Sequence, residues 1–354
     1  MNEQISHSID ILRFPLACGV VVLHLMGSYT NWSAYDYSDF CKFGLYDHLS
    51  LVTNIFFQVA VPLFFFISGY LYTNGNDVDI KKVISKKSKS ILFPYMLWNI
   101  MAYLLLVVTK GLGVVIHGRN IHQMMDVISP ISFLQSVVGD FSGGFPCSPI
   151  DAPLWFMRDL FVLFLIAPIF VYGIKRMGSF IVFVFLALYI FNVKGIPCLQ
   201  VQSMTFFVLG LYFRLHKIDY LAFFKRYKGL MGILALCSFV LRYVLGGQYS
   251  LLMPVFIISA SVYIISVSDV AKTDFTDRVI VYKKYSFWIY ALHFLLVKKM
   301  WGIFYHPLLR NNELIASLAY IVCPIVTIFL CKITYNWMEK VAPRILAVLV
   351  GGRI

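Results

Sequence analysis

The sequence predicts an all-α fold, a polytopic transmembrane helical bundle, and three observations carry that prediction. Of 354 residues, 60% are hydrophobic and only 13% are charged, where soluble domains carry about 25% charged residues. The mean hydropathy is +0.79, and the apolar residues gather into runs approaching the ~20 residues needed to cross a bilayer. The basic residues collect in alternate connecting segments. A net charge of +13 is thereby explained by topology and anionic headgroups. No polar, foldable domain is present to bind nucleic acid.

Taken in order, the apolar stretches fall at 11–29, 51–73, 91–115, 154–173, 178–193, 199–213, 229–246, 251–268, 286–305 and 314–336. That predicts about ten transmembrane helices, the fifth and sixth being short for a full crossing. Pro94 and Pro153 stand near helix starts, where a missing N–H costs little. Pro62, Pro168, Pro254 and Pro324 fall within or near spans and predict kinks that neighbouring helices must re-satisfy. Lys81, Lys82, Lys86, Lys87 and Lys89 fill one connecting segment, Lys175 and Arg176 another, and Arg214 to Lys228 and Lys272 to Lys284 two more. The intervening segments are nearly free of Lys and Arg. The positive-inside rule then places both termini in the cytoplasm, N-in and C-in.

The longer outer segments, near 30–50 and 116–153, carry Asp36, Asp39, Asp47, Asp126, Asp140 and Asp151 and a Gly/Pro-rich FSGGFPCSP turn. They form the expected extracytoplasmic mouth. The seven cysteines lie in no CxxC pair and read as small hydrophobes. A Cys41–Cys147 disulfide requires both segments to face an oxidising compartment. The first apolar run lacks a basic leader and a small-residue cleavage site and reads as a retained span. No internal repeat or soluble appendage is visible, so residues 1–354 are expected to form a single membrane-embedded domain.

Ionisable residues inside spans are costly and usually face the bundle interior or a wet cavity. In RFPLACGVVVLH, Arg13 and His24 are eleven positions apart, about three helical turns, so they share a face roughly 16 Å apart. Arg13 is either a snorkelling, topology-setting charge or a fork for phosphate. His24 is either a packing hydrogen bond or a general base with its pKa near working pH. Together they suit a long anionic donor entering from the cytoplasm. In PLFFFISGYLY, Ser68 and Gly69 allow close helix approach or contact with that donor. In DAPLWFMRDLFVLF, Asp151, Trp155 and Arg158 lie on one broad face that suits an acceptor, while Asp159, adjacent to Arg158, points elsewhere and is not expected to pair with it. In YSFWIYALHFLLVKK, Tyr290 and His293 are i, i+3 neighbours placed for donor binding, with Lys298 and Lys299 farther along. His48 and His306 look uncommitted. No HExxH, Asp/His cluster or Gly-rich phosphate loop is present, so neither a metal site nor a nucleotide-binding domain is expected.

These elements resemble the acyltransferase 3 family of integral-membrane O-acyltransferases. The resemblance rests on the R-x10-H of Arg13 and His24, on Phe65, Phe66, Ser68, Gly69 and Tyr70, on Leu154, Trp155 and Phe156, and on Tyr290 and His293. It spans nearly the whole chain. It implies transfer of an acyl group, commonly acetyl from cytoplasmic acetyl-CoA, to a hydroxyl of a cell-envelope polysaccharide or a lipid-linked saccharide in the bacterial inner membrane. The family's essential His maps onto His24 and its conserved Arg onto Arg13. Transfer is either direct, with His24 as general base, or through an acyl-imidazole. A separate extracytoplasmic partner is expected where transfer is not completed in the membrane. A transporter or flippase for a lipid-linked or small organic substrate is the alternative, since buried charges and kinked helices suit it equally.

Overall fold

The computed structural model describes residues 3–25, 37–73, 80–117, 129–139, 148–196, 198–247, 249–268, 273–304 and 312–353. The outer-segment acids Asp36, Asp126 and Asp140, Lys272, Cys147 with most of the Gly/Pro-rich turn, and His306 lie outside the described residues, as do the side chains of Lys298 and Lys299. The described chain is helical. The main helices are α1 (Glu3–Leu23), α2 (Leu45–Phe57), α3 (Ala60–Tyr70), α4 (Phe93–His117), α5 (Trp155–Met177) and α6 (Ser179–Ile190). They continue with α7 (Val201–Leu215), α8 (Lys228–Leu245), α9 (Leu252–Val267), α10 (Ser286–Phe304) and α11 (Glu313–Val341).

The expectation of ten spans is corrected. Among the described residues six helical stretches are long and apolar enough to cross a membrane: Glu3–Leu23, Leu45–Tyr70, Lys81–Leu112, Ala152–Met177, Lys228–Leu245 and Glu313–Val341. Helices α6, α7 and α9 have 12, 15 and 16 residues. At ~1.5 Å per residue they fall short of a ~30 Å hydrocarbon core. Helix α10 has 19 residues and carries His293, Lys298 and Lys299 within its apolar run. The chain is a polytopic, mostly membrane-embedded helical protein, and the N-in, C-in expectation rests on segment charge alone.

Proline explains the break between α2 and α3. Pro62 has no N–H to give the Gln58 carbonyl, and the ladder is interrupted at Gln58 and Val59. Pro168 and Pro324 sit inside α5 and α11.

The chain divides into two compact units. The first comprises residues 1–78, 168–194 and 201–335. In it α1 packs along α10 and against α2 and α3, α3 crosses α7, and α8 pairs with α9. Ile5, Ile9, Leu12, Leu16, Val20 and Val21 form the buried stripe of α1, and Ser8 hydrogen-bonds Ser268. The α3–α7 crossing depends on two glycines. A Cβ on Gly69 would lie 2.1 Å from the Phe207 carbonyl oxygen, and one on Gly210 would lie 2.1 Å from that of Phe66. Small residues let backbones meet where hydrocarbon supplies no hydrophobic drive for helix association.

The second unit comprises residues 79–167, 195–200 and 336–354. Here α4 continues a π-helical turn, Ser88–Leu92, and packs on the helices Pro130–Val138 and Pro343–Leu349. The Trp98 indole N–H donates to the Leu349 carbonyl at 3.1 Å, and the Lys87 ammonium sits 4.3 Å from the Phe164 ring centroid.

Gly69→Ala is expected to destabilise the folded protein by about 1–3 kcal/mol, the cost of overpacking a tight contact. Gly229→Ala, whose Cβ would meet nothing within 4 Å, serves as the neutral control. Thermal unfolding in detergent, followed by size-exclusion recovery, checks both.

Candidate active site

The α1 helix closes with a tightened turn. The backbone N–H groups of His24 and Leu25 reach the Val21 and Val22 carbonyls, each at 3.2 Å. His24 thus stands one residue past the helix, where the Val20 carbonyl is left over for its side chain. Its Nδ1 lies 2.8 Å from that oxygen. On α10, the His293 side chain is fully buried, with 0% exposure, and its Nδ1 lies 2.9 Å from both the Ile289 and Tyr290 carbonyls. Packing of α1 along α10 brings the two imidazoles together. His293 Nε2 is 3.3 Å from His24 Nδ1, with ring centroids 5.1 Å apart at 63°. The Phe294 ring closes another side of His24 edge-on, at 5.6 Å.

The carbonyls settle where the protons are. A carbonyl oxygen only accepts, so Nδ1 of each ring must carry hydrogen. His24 Nδ1–H therefore also faces His293 Nε2, which accepts only if it is unprotonated. His293 is then a neutral Nδ1–H tautomer, and on a neutral His24 ring Nε2 carries a lone pair that neither the Val20 carbonyl nor His293 uses. Such a nitrogen can take a proton from a hydroxyl or attack an acyl carbon.

Arg13 is engaged elsewhere. Its Nη1 donates to Asp10 Oδ1 at 3.0 Å, while Lys283 Nζ donates to the other oxygen of Asp10 at 2.5 Å. Both cations keep 41% of their side chains exposed, so the cluster still presents positive charge. Ser68 is partly buried, and Gly69 serves the α3–α7 crossing. Tyr290 is buried, its ring 6.4 Å from that of His293.

Asp151, Trp155 and Arg158 belong to the second unit. Asp151 is fully buried. Its backbone N–H donates to Asn99 Oδ1 at 3.3 Å, and Asn99 Nδ2 donates to the Tyr95 carbonyl at 2.9 Å. Both Asp151 carboxyl oxygens lack a partner among the described residues. Burial with no compensating donor pushes this carboxyl well above the usual carboxylate range. The expectation that Arg158 and Asp159 do not pair is corrected. Arg158 Nε and Nη2 donate to Asp159 Oδ1 at 3.1 and 2.9 Å, and Nη1 donates to the Val138 carbonyl at 2.6 Å. Adjacent helix positions diverge by about 100°, but an arginine stem is long enough to fold back across that angle. Asp159 Oδ2 has no partner among the described residues.

Comparison with known proteins decides the family. The family model described as an acyltransferase domain matches residues 6–335. The chain belongs to the acyltransferase 3 family. One relative is the succinoglycan biosynthesis protein ExoH of Rhizobium meliloti (strain 1021), 24% identical over 374 aligned positions that cover all of this chain and 94% of that protein. No solved structure matches the chain. Membership makes this a membrane-associated acyl-transfer enzyme of an acyl-CoA-using family. Among the described residues no group of three or more His, Cys, Asp or Glu side chains is placed to hold a metal ion.

Three participants escaped the sequence reading. Asp10 is legible in hindsight as an acid three residues before Arg13, a standard helical ion-pair spacing. Lys283 and Asn99 carry no local signal, because only the packing of separate helices or segments brings them to Asp10 and Asp151.

We predict that His293→Phe lowers the turnover of acyl transfer about 10- to 100-fold with little change in donor KM, a loss confined to the transition state. His293→Gln, whose amide oxygen still accepts from His24 Nδ1–H, is expected to retain most activity. Steady-state kinetics of both variants check this.

Proposed function

We propose that the protein transfers an acyl group, acetyl from cytoplasmic acetyl-CoA, to a hydroxyl of a cell-envelope polysaccharide or its lipid-linked precursor. Family membership and the relative named for succinoglycan biosynthesis support the envelope-polysaccharide class. The observation that carries the mechanism is the Nε2 of His24, which neither the Val20 carbonyl nor His293 engages. That nitrogen takes the proton of the acceptor hydroxyl as its oxygen attacks the thioester carbonyl carbon. The C–S bond breaks, and the departing sulfur receives the proton from the imidazolium. No net proton is gained or lost by the enzyme. His293 acts through His24, holding the tautomer that makes Nε2 the base.

The donor enters from the cytoplasmic side, in keeping with the N-in, C-in charge pattern. Its phosphates meet the positive charge around Arg13, with Ser68, Gly69 and Tyr290 along the route. The acceptor is held by Asp151, Trp155 and Arg158. A buried carboxyl whose burial favours the protonated form offers one O–H and acceptor capacity, a match for sugar hydroxyls, and the half-buried Trp155 indole suits the apolar side of a sugar ring. A single membrane domain carries the reaction, and an extracytoplasmic partner is an addition to it, not a source of the base.

Purified protein in nanodiscs, given labelled acetyl-CoA and a panel of envelope glycans, tests the reading. Wild type is expected to label a glycan and release CoA, and folded His24→Ala to lose about 10²–10⁴-fold in rate, the range of general-base catalysis. Equal transfer by the folded variant would remove His24 from the chemistry.

A further inference from the structure

The entry to α5 breaks a local rule of helix chemistry. A 3₁₀ turn, Ala152–Leu154, leads into the helix, and Asp151 holds its N-cap position. Aspartate is among the best N-caps because its side chain accepts from the backbone N–H of the second or third helical residue. Here the Asp151 side chain caps nothing. The second residue is Pro153, which has no N–H to give. The third, Leu154, donates its N–H to the Asp151 carbonyl at 2.9 Å. The main chain of Asp151 is therefore closed on both sides, its own N–H donating to the Asn99 amide oxygen at 3.3 Å. Asn99 is fixed in turn through the Tyr95 carbonyl of its own helix. The backbone is held and the carboxyl is left over. It is fully buried, and neither of its oxygens has a partner among the described residues. Burial alone holds it above the usual carboxylate range, with no charged neighbour contributing. Arg158, the nearest cation along the chain, donates to Asp159 and to the Val138 carbonyl.

We propose that Pro153 is a positioning residue of the acceptor site, one that withholds the capping N–H and so keeps the Asp151 carboxyl for a hydroxyl of the acceptor; this role rests on the reading of Asp151 as an acceptor-binding residue. A capped carboxylate would be engaged by its own helix and turned toward its own backbone. An uncapped, protonated one gives one hydrogen bond and takes others. A sugar hydroxyl, or two adjacent ones, answers both halves of that pattern. Restoring the cap would undo it, because an N–H donated to the charged form favours ionisation and draws the carboxyl back toward its ordinary range. For the helix alone the missing cap is a loss, and for the acceptor site it is what leaves the carboxyl available.

The test compares the full-length wild type with Pro153→Ala and Pro153→Val in nanodiscs. Both variants restore an N–H at the second helical position, and valine keeps most of the bulk of the proline ring. An effect shared by the two belongs to the hydrogen bond, and one seen in alanine alone belongs to lost packing. Carbon-13 NMR of aspartate-labelled protein, with the Asp151 carboxyl assigned by its absence in Asp151→Asn, follows the titration without any substrate. The inflection is expected at lower pH in both variants than in wild type. With the glycan that wild type labels, acceptor KM is expected to rise about fivefold in both, an ordinary capping bond expressed as an affinity ratio, with the smaller change in kcat. An unchanged inflection in Pro153→Val, or an unchanged acceptor KM beside a lowered inflection, would overturn the proposal. Asp151→Asn separates it from the reading beneath. If that variant keeps the wild-type acceptor KM, Asp151 does not meet the acceptor, whereas a raised KM there with none in Pro153→Val removes only the role of the proline.

Discussion

Three main-chain carbonyls determine what this site can do. Those of Ile289 and Tyr290 fix the proton of His293, and that of Val20 fixes the proton of His24. An imidazole buried without a partner forfeits about 1–3 kcal/mol for each unmet polar group, a strong reason to keep these bonds in a hydrocarbon-like interior. Everything else about the pair follows. With both Nδ1 protons committed, His293 Nε2 can only accept from His24, and on a neutral His24 ring Nε2 keeps its lone pair. The helices that carry the two rings are held together by the α1 stripe of Ile5, Ile9, Leu12 and Val20 and by packing along α10.

The two units handle buried polarity in different ways. In the first, charge is gathered into the Asp10, Arg13 and Lys283 cluster, and His24 and His293 are held by main-chain carbonyls. In the second, Arg158 neutralises Asp159 through one oxygen, while both Asp151 carboxyl oxygens lack a partner among the described residues. A buried carboxyl without a donor is costly to the fold. The glycines at the α3–α7 crossing show the same economy at the level of backbone, where atoms too close to admit a Cβ replace side-chain packing.

The helical class, the membrane setting and the family were legible in the sequence, because composition, apolar run length and the motifs around His24, Ser68, Trp155 and His293 are local properties. The number of full crossings was not. Runs such as 178–193 and 199–213 are apolar enough to invite counting, but the helices that form there stop after 12 and 15 residues. The pairing of Arg158 with Asp159 was missed because a helical wheel records where side chains start and not how far an arginine reaches. The His24–His293 contact joins residues 269 positions apart, and nothing at either position announces the other. Their tautomers were beyond sequence altogether, since they depend on which carbonyls each ring meets.

The most direct test of the account is the protonation of His24 itself. Nitrogen-15 NMR of histidine-labelled protein in nanodiscs, with His24 assigned by its loss in His24→Ala, distinguishes the two ring nitrogens. The account predicts a neutral ring at neutral pH with Nδ1 protonated and Nε2 bare. A ring protonated on Nε2, or an imidazolium, would contradict it.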